Sequence, residues 1–485
     1  MCTLTLERLG NNPKHESRRR ELADLRRQLQ PERECPFLSL PVELMLTIFK
    51  ISGNPVVISH VCRQWRAVAL SQPTLWRSLV LTGPEKNALL KAEEWHKRSH
   101  GRIVELNIEK SLAEAIVPSR FGHTGRYRDR DHSSELLIAL QHFDFTGIKE
   151  IHLEELDAEA LFSKLCDSTG FVHQHLESLS ISYEYHTRVT FGRSVHASQL
   201  WENLRAFRVI NGRCCWAELP MRRLTSFEYR ISSRDGIFTH VHQFLQANPG
   251  LEKLVIEVER DIYNASPTVR DSLTLANLRH VELRGDVPFR IKRGNFSLPS
   301  LRILRMACIR DSTGILSELV KDEGTSFAEL VEFTARDCLL GREDLSSLLH
   351  RAPKLETLNC TDIDGFIVES LTKPCVALLR DPVTEELAPT RLPILCPALN
   401  TLDLSESDSL KPDPIIRVIK ERIALAASED GGRYQLPGED GDRGVSRIRD
   451  LKVDDCPHIK AEMISWFRKN VLQFSCRSRY DLRRR

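Results

Sequence analysis

The sequence predicts an α/β protein in which a small three-helix unit precedes a curved solenoid, with parallel strands on its concave side and helices on its convex side. Three observations lead to this prediction. Three short amphipathic segments lie between Leu40 and Leu81. From Ile103 onward one apolar pattern typical of a strand returns, with helix-like stretches between its copies. At 485 residues the chain is too long for one core, so two or more units are expected.

Composition narrows the classes of partner. The chain is 41% hydrophobic and 28% charged, and its net charge of +2 creates no global field that favours nucleic acid or a membrane surface. We find no apolar run near the roughly 18 residues of a membrane helix, and no signal peptide. The 13 cysteines are irregularly spaced and never form Cys-x-x-Cys. Buried reduced thiols in a cytoplasmic or nuclear protein are therefore expected, with no metal or other cofactor.

The first amphipathic segment begins at Pro41. Proline fits the first helical turn, where its missing N–H would have no partner, and Glu43 there complements the helix dipole. The apolar residues share one face and its border: Leu40, Leu44 and Ile48, with Met45 and Phe49 beside them. The Gly53-Asn54-Pro55 run should end this helix in a turn.

A second helix is predicted from about Val57 to Leu70, and Pro73 should start a third. The apolar stripe of the second helix follows helical spacing: Ile58, Val61, Cys62 and Trp65. The third carries Leu75, Trp76 and Leu79. Because three helices of this size bury little apolar area, we expect a partner to complete the unit.

Four runs in this segment resemble the F-box: Leu40-Pro41-x-Glu43-Leu44, Ile48-Phe49, Val61-Cys62-Arg63-x-Trp65 and Pro73-x-Leu75-Trp76. The arrangement along the chain is similar to that of F-box proteins of mushroom-forming fungi. The resemblance implies docking onto the Skp-type adaptor of an SCF (Skp–cullin–F-box) ubiquitin ligase, and through it onto cullin and RING subunits. By family analogy the adaptor contacts would be Leu40, Pro41, Leu44, Ile48, Phe49, Val61, Cys62 and Trp65. The alternative is that these stripes are only the core of a helical hairpin.

The pattern from Ile103 onward is apolar, two variable, apolar, one variable, apolar. Its twelve copies are Ile103-Leu106-Ile108, Ile148-Ile151-Leu153, Leu176-Leu179-Ile181, Leu204-Phe207-Val209, Leu224-Phe227-Tyr229, Leu251-Leu254-Ile256, Leu278-Val281-Leu283, Leu301-Leu304-Met306, Leu330-Phe333-Ala335, Leu355-Leu358-Cys360, Leu399-Leu402-Leu404 and Ile448-Leu451-Val453. Between residues 148 and 355 the first positions lie 20 to 29 apart, which is the leucine-rich-repeat period. The alternative is an α/β domain that is not a solenoid.

Two further signals support the repeats. A proline stands two residues before the first leucine in four copies, at Pro249, Pro299, Pro353 and Pro397, where it should end the preceding segment. Helix-like stretches lie at Glu159–Cys166, His240–Ala247, Gly314–Lys321, Asp344–Arg351 and Ile415–Ile423. The spacing breaks after Ile103, Leu355 and Leu399; the last break includes Ala427–Gly444, which we expect to be a mobile surface loop.

The variable strand positions should face the concave surface. They include Arg208, Glu228, Arg230, Glu257, Glu282, Arg284, Arg305, Arg336 and Asp403. One hypothesis is that the five arginines bind an acidic or phosphorylated segment of a substrate protein. The alternative is that the glutamates pair with the arginines as a solvated sheet face.

We divide the chain into 1–36 (charged helix and linker), 37–82 (F-box), 83–100 (linker helix), 101–475 (leucine-rich-repeat domain) and 476–485 (basic tail). The charged helix is expected at Glu16–Gln30. No phosphate-binding glycine loop, nucleophile elbow or His-Glu-x-x-His motif occurs, so we expect no catalysis by this chain. The predicted function is the substrate-recognition subunit of an SCF-type ligase; the alternative is a leucine-rich scaffold that uses the F-box outside any ligase.

Overall fold

The computed structural model describes residues 40–82, 85–109, 147–154, 175–189, 201–214, 221–231, 241–258, 273–285, 296–309, 312–321, 325–361, 365–380, 387–428, 432–437 and 441–477. Described residues up to Arg77, with Trp95–Gly101, form one compact unit, here called the helical unit. The other described residues form a second, the sheet unit. The predicted helices Glu16–Gln30 and Glu159–Cys166, and the tail after Arg477, lie outside the described residues.

Short helices dominate the first part of the described chain and recur between later strands. They are α1 Val42–Ser52, α2 Pro55–Ser59, α3 Arg63–Ser71, a 3-10 turn Pro73–Trp76, α4 Glu85–Arg98, α5 Val241–Gln246, α6 Ser312–Lys321, α7 Arg342–His350, α8 Gly365–Ser370, α9 Pro412–Ala427 and α10 Ala461–Asn470. The helices expected near His240, Gly314, Asp344 and Ile415 are therefore confirmed as α5, α6, α7 and α9. None of these helices is both long and apolar enough to cross a bilayer.

The described residues contain twenty strands. They are β1 Ser78–Leu81, β2 Glu105–Ile108, β3 Glu150–Glu154, β4 Ser178–Val189, β5 Ala206–Cys214, β6 Ser226–Ile231, β7 Lys253–Val258, β8 Leu273–Thr274, β9 His280–Gly285, β10 Phe296–Ser297, β11 Ile303–Ala307, β12 Glu332–Arg336, β13 Thr357–Cys360, β14 Cys375–Arg380, β15 Leu387–Leu392, β16 Thr401–Asp403, β17 Arg433–Tyr434, β18 Arg443–Gly444, β19 Asp450–Lys452 and β20 Gln473–Ser475.

Fourteen of these described strands form one parallel sheet. Its order is β1-β2-β3-β4-β5-β6-β7-β9-β11-β12-β13-β16-β19-β20, so strands are added in the order of the chain. The remaining six form short pairs, β8 with β10, β14 with β15 and β17 with β18. Helices before the sheet and a long parallel sheet confirm the α/β class.

The twelve sequence repeats coincide with twelve strands of this sheet. Neighbouring strands align their middle apolar positions, as Val281 pairs with Leu304 and Leu304 with Phe333. Every apolar residue of the twelve patterns is 3% exposed or less. The intervening side chains alternate to the opposite face, as strand geometry requires. One face of the sheet is therefore a continuous apolar core, and the opposite face carries the variable residues.

The prolines mark the approach to a strand, as predicted. Pro353 follows α7 and lies ahead of the buried Leu355 and of β13. Proline removes a backbone donor and disfavours a helical conformation in the preceding residue, so it ends one segment before the next strand begins.

The long breaks in the spacing insert no strand into the sheet. β13 pairs directly with β16, and β16 with β19. The insertion after β13 forms α8 and the β14–β15 pair instead. The expectation of a mobile surface loop at Ala427–Gly444 is wrong for its described centre. Tyr434 and Leu436 are buried there because they pack with Ala377, Leu379 and Leu392 of the β14–β15 pair.

Candidate binding surfaces

Helix α1 is bounded by the residues that the sequence marks as its ends. Pro41 precedes it with extended backbone, and its carbonyl accepts hydrogen bonds from the N–H groups of Leu44 and Met45. Gly53 closes it in the left-handed conformation at φ 67°, and its N–H donates to Phe49 O at 3.2 Å. A residue with a Cβ is strained at this φ, which explains the glycine.

The predicted single helix Val57–Leu70 is wrong, because the chain forms two helices here. Asn54 caps α2, since its Oδ1 accepts from the N–H groups of Val56 and Val57 at 3.1 and 3.2 Å. Cys62 is extended, and its Sγ accepts from Trp65 N at 3.4 Å, which starts α3. A stripe at helical spacing can therefore continue across a break, where a local cap competes with the helical hydrogen bonds.

The helical unit has a small core of four buried residues: Met45, Phe49, Ile58 and Ala69. Trp65 packs partly buried against it, with its ring centroid 5.0 Å from that of Phe49. Trp76 is fully buried and donates from Nε1 to Ala69 O at 2.8 Å. These contacts fix the three helices relative to one another.

Many apolar side chains of the helical unit remain outside this core. Thirteen large hydrophobic residues are exposed in the described chain, and eight of them lie between residues 42 and 70. We call these eight the exposed apolar set: Val42, Leu44, Ile48, Ile51, Val56, Val57, Val61 and Leu70. Leu44, Ile48 and Ile51 follow i, i+4, i+7 spacing and so share one face of α1. Clustered exposure of this kind is typical of a surface that another protein covers.

The sheet unit exposes a line of alternating charges. Arg208 Nε lies 3.1 Å and Arg230 Nε 2.6 Å from the same oxygen of Glu228, and Arg230 also reaches Glu257 at 3.4 Å. Arg284 reaches Glu257 at 4.0 Å. These ion pairs join β5, β6, β7 and β9 across the face opposite the apolar core.

The line continues to β12. Arg284 lies 2.7 Å and Arg305 3.8 Å from Glu282, and Arg305 donates from Nε and Nη2 to the two oxygens of Glu332 at 2.7 and 3.0 Å. These hydrogen bonds lower the pKa of Glu332. His280 lies beside them, and burial, followed by the positive charge of Arg305, lowers its pKa. The bidentate pair is the strongest geometry in the line.

The carboxylates lie beneath the guanidinium groups. The side chains of Arg208, Arg230, Arg284 and Arg305 are 35 to 45% exposed, whereas those of Glu228, Glu257, Glu282 and Glu332 are 9 to 22% exposed. Arg336 lies 3.6 Å from Asp403, which Lys452 also approaches at 3.9 Å. The pairing that the sequence left as an alternative is therefore present in the structure, and all five predicted arginines have carboxylate neighbours.

The comparison with known families identifies the first surface. Residues 37–82 match the F-box-like family. No curated protein matches the chain. The F-box-like domain includes α1, α2 and α3 together with the 3-10 turn and β1.

The predicted adaptor contacts of the F-box-like domain fall into three groups. Leu44, Ile48 and Val61 are 52, 38 and 59% exposed, and Pro41 is also exposed. Leu40, Cys62 and Trp65 are partly buried. Phe49 is 1% exposed, so it shapes the core rather than offering a surface to a partner.

Some residues of these surfaces were missed by the sequence interpretation. Ile51 is 81% exposed, and its position seven residues after Leu44 could have placed it on the same face. Val56 and Val57 lie in the short helix α2, where the sequence predicts the beginning of one longer helix. Glu332 stands one residue before the middle apolar residue of its repeat, Phe333, whereas the predicted surface positions all follow that middle residue.

Two cysteines of the sheet unit, Cys396 and Cys456, are buried. Burial raises the pKa of Cys396 to about 12 and that of Cys456 to about 11. A thiolate nucleophile needs the opposite shift. Both side chains therefore pack as small apolar residues.

Proposed function

We propose that this protein is a substrate receptor of an SCF-type ubiquitin ligase, active in the cytoplasm or nucleus. F-box domains bind Skp-type adaptors, and through the adaptor this chain would join cullin and RING subunits. The observation that carries the proposal is the exposed apolar set on helices that match the F-box-like family. Catalysis would come from other subunits, which act by holding the bound substrate close to the transferred ubiquitin.

The size of the helical unit supports docking. The core cluster that α1, α2 and α3 share contains four buried residues, while Leu44, Ile48 and Ile51 are exposed on one face of α1. Covering such side chains removes apolar surface from water, which is the main favourable term in protein association. An adaptor with an apolar groove would therefore stabilise these helices as it binds them.

We further propose that the sheet unit is a leucine-rich-repeat solenoid that binds the substrate protein. Twelve repeats in strict order, each adding one strand beside the last, support this assignment. The variable face would contact the substrate, with Arg208, Arg230, Arg284, Arg305 and Arg336 among the contacts. Each guanidinium group has five N–H donors, more than its ion pairs need, so donors would remain for a substrate.

Co-purification tests the proposal. The wild-type chain should bring down the Skp-type adaptor together with cullin, and the double variant Leu40→Ala/Pro41→Ala should bring down neither. Leu90→Ala is the matched control, because Leu90 is 56% exposed on a helix outside the F-box-like match. Failure of the wild-type chain to capture the adaptor would refute the proposal.

A leucine-rich scaffold that uses the F-box outside a ligase is the second candidate. The same exposed apolar set would then hold the adaptor without leading to ubiquitin transfer. Capture of the adaptor without cullin, under conditions in which a known F-box protein captures both, would favour this second function.

A further inference from the structure

A cleft opens at the edge of the sheet where the last strands begin. Its volume is about 1100 Å³. Residues directly ahead of four successive strands line it: Glu356, Asn400, Arg449 and Leu472. Backbone bonds hold three of them in a row, since Asn400 N donates to Glu356 O at 3.0 Å and Arg449 N to Asn400 O at 2.7 Å. The side chains at this edge therefore have fixed spacing.

The lining of the cleft is strongly basic. Five exposed cations contribute to it: Arg443, Arg447, Arg449, Arg468 and Lys469. Glu356 is the one carboxylate among the described lining residues. The net charge of the entire chain is only +2, so this local excess is not a consequence of composition. A concave surface with one sign of charge concentrates ligands of the opposite sign.

Four of these cations form no ion pair with a carboxylate of the described residues, unlike the arginines of the sheet face. Within the described chain, no carboxylate lies within 4.0 Å of Arg447, Arg449, Arg468 or Lys469. Arg468 and Lys469 complement the carboxyl end of α10, which explains their presence there. Arg447 and Arg449 have no such role, because they lie on the approach to a strand.

We propose that this cleft binds an acidic peptide segment of a partner protein. Arginine guanidinium groups offer paired N–H donors that match carboxylates. Leu472, 80% exposed beside the cations, would contact an apolar side chain within the same segment. Tyr434 is the only aromatic among the described lining residues and is 5% exposed, so the cleft lacks the stacking platform typical of single-stranded nucleic-acid sites.

Fluorescence anisotropy on the purified chain tests the site. The probe is a fluorescein-labelled peptide of glutamates with two internal leucines, titrated at low ionic strength. Wild type should bind it, and Arg447→Glu/Arg449→Glu should weaken binding by about tenfold or more, since two attractive charges become repulsive. Arg468→Ala/Lys469→Ala provides a second variant, which should also weaken binding.

The matched control is Arg279→Glu/Arg302→Glu. Arg279 and Arg302 are exposed and directly precede β9 and β11, the register position that Arg449 occupies before β19. Both double variants change the net charge by the same amount. The control should retain the wild-type affinity within about twofold, because its charges lie outside the cleft.

Three results would overturn the proposal. They are an equal loss in the cleft variant and the control, an absence of peptide binding by wild type, and tighter binding of a single-stranded oligothymidine of equal charge. The last result would identify the site as one for nucleic acid. The peptide assay contains no adaptor, so its result is independent of adaptor binding by the F-box-like domain. The proposed cleft and the proposed ligase function can therefore fail separately.

Discussion

Truncating exposed side chains of the F-box-like domain should weaken binding of the adaptor without unfolding the chain. The perturbation is Leu44→Ala/Ile48→Ala/Val61→Ala, whose side chains belong to residues 52, 38 and 59% exposed. Burying a whole aliphatic side chain contributes about 1.5–3 kcal/mol, so covering these exposed fractions contributes roughly 2–4 kcal/mol in all.

That free energy sets the expected change in affinity. At 1.4 kcal/mol per tenfold, the triple variant should bind the adaptor about 30-fold to several-hundred-fold more weakly. Isothermal titration calorimetry with purified adaptor measures the dissociation constant directly. The melting temperature should remain close to that of wild type, because exposed substitutions usually change stability by less than about 0.5 kcal/mol.

Leu90→Ala is again the control, and its affinity should equal that of wild type. If the triple variant bound the adaptor within threefold of wild type, the exposed apolar set would not be the docking surface. A large loss of affinity accompanied by an equal loss in the control would point to an indirect effect and would refute the reasoning as well.

Three further predictions concern stability. Arg422 is fully buried in α9 and donates to the carbonyls of Leu395, Cys396, Pro397, Leu399 and Ser446. Arg422→Met should lower the free energy of unfolding by about 3–5 kcal/mol, because these buried carbonyls lose their hydrogen-bond donor. Urea denaturation measures this change, and Arg417→Met is the control because Arg417 is exposed. Phe49→Ala should lower the free energy of unfolding of the helical unit by about 3–5 kcal/mol, because it leaves a cavity in the core. Amide hydrogen exchange in α1 and α3 should then be faster, whereas the exposed Leu44→Ala should leave it unchanged. The pKa of Glu332 is lower in the folded chain than in the unfolded chain, so its ionised carboxylate stabilises the fold. This contribution to stability is fully present above the unfolded pKa and is lost as the pH falls through the folded pKa. Melting temperature should therefore fall less steeply with acidification in Glu332→Gln, and an unchanged slope would contradict this.

The sheet could be predicted closely because its pattern is local and repeated. Each repeat needs three apolar residues at fixed spacing, so strands such as β7 and β11 follow directly from the leucines. The same pattern also occurs at Trp76-Leu79-Leu81 and Val471-Phe474-Cys476, which correspond to β1 and β20. The first overlaps the third predicted helix, and the second follows the last of the twelve predicted repeats.

The sites were harder to predict because they depend on pairings between distant residues. The five arginines could be placed on one face, but the sequence did not decide whether Glu228 or Glu282 would neutralise them. The break at Cys62 depends on a thiol that caps a helix, and periodicity contains no such signal. The basic cleft brings together Arg449, just before β19, and Lys469, near the end of α10, and no local sequence pattern connects these two residues.

The consecutive order of strands has a consequence for how the sheet unit melts. Each inner strand is held by two neighbours, whereas β1 and β20 each have one partner within the sheet. Opening should therefore begin at the two ends and travel inward, one strand at a time, with the central strands exchanging their amides last. The cleft lies beside β19 and β20, so a ligand bound there would favour pairing of these last two strands over their local unfolding. Occupancy of the cleft and order at that end are then thermodynamically linked, and each should increase the other.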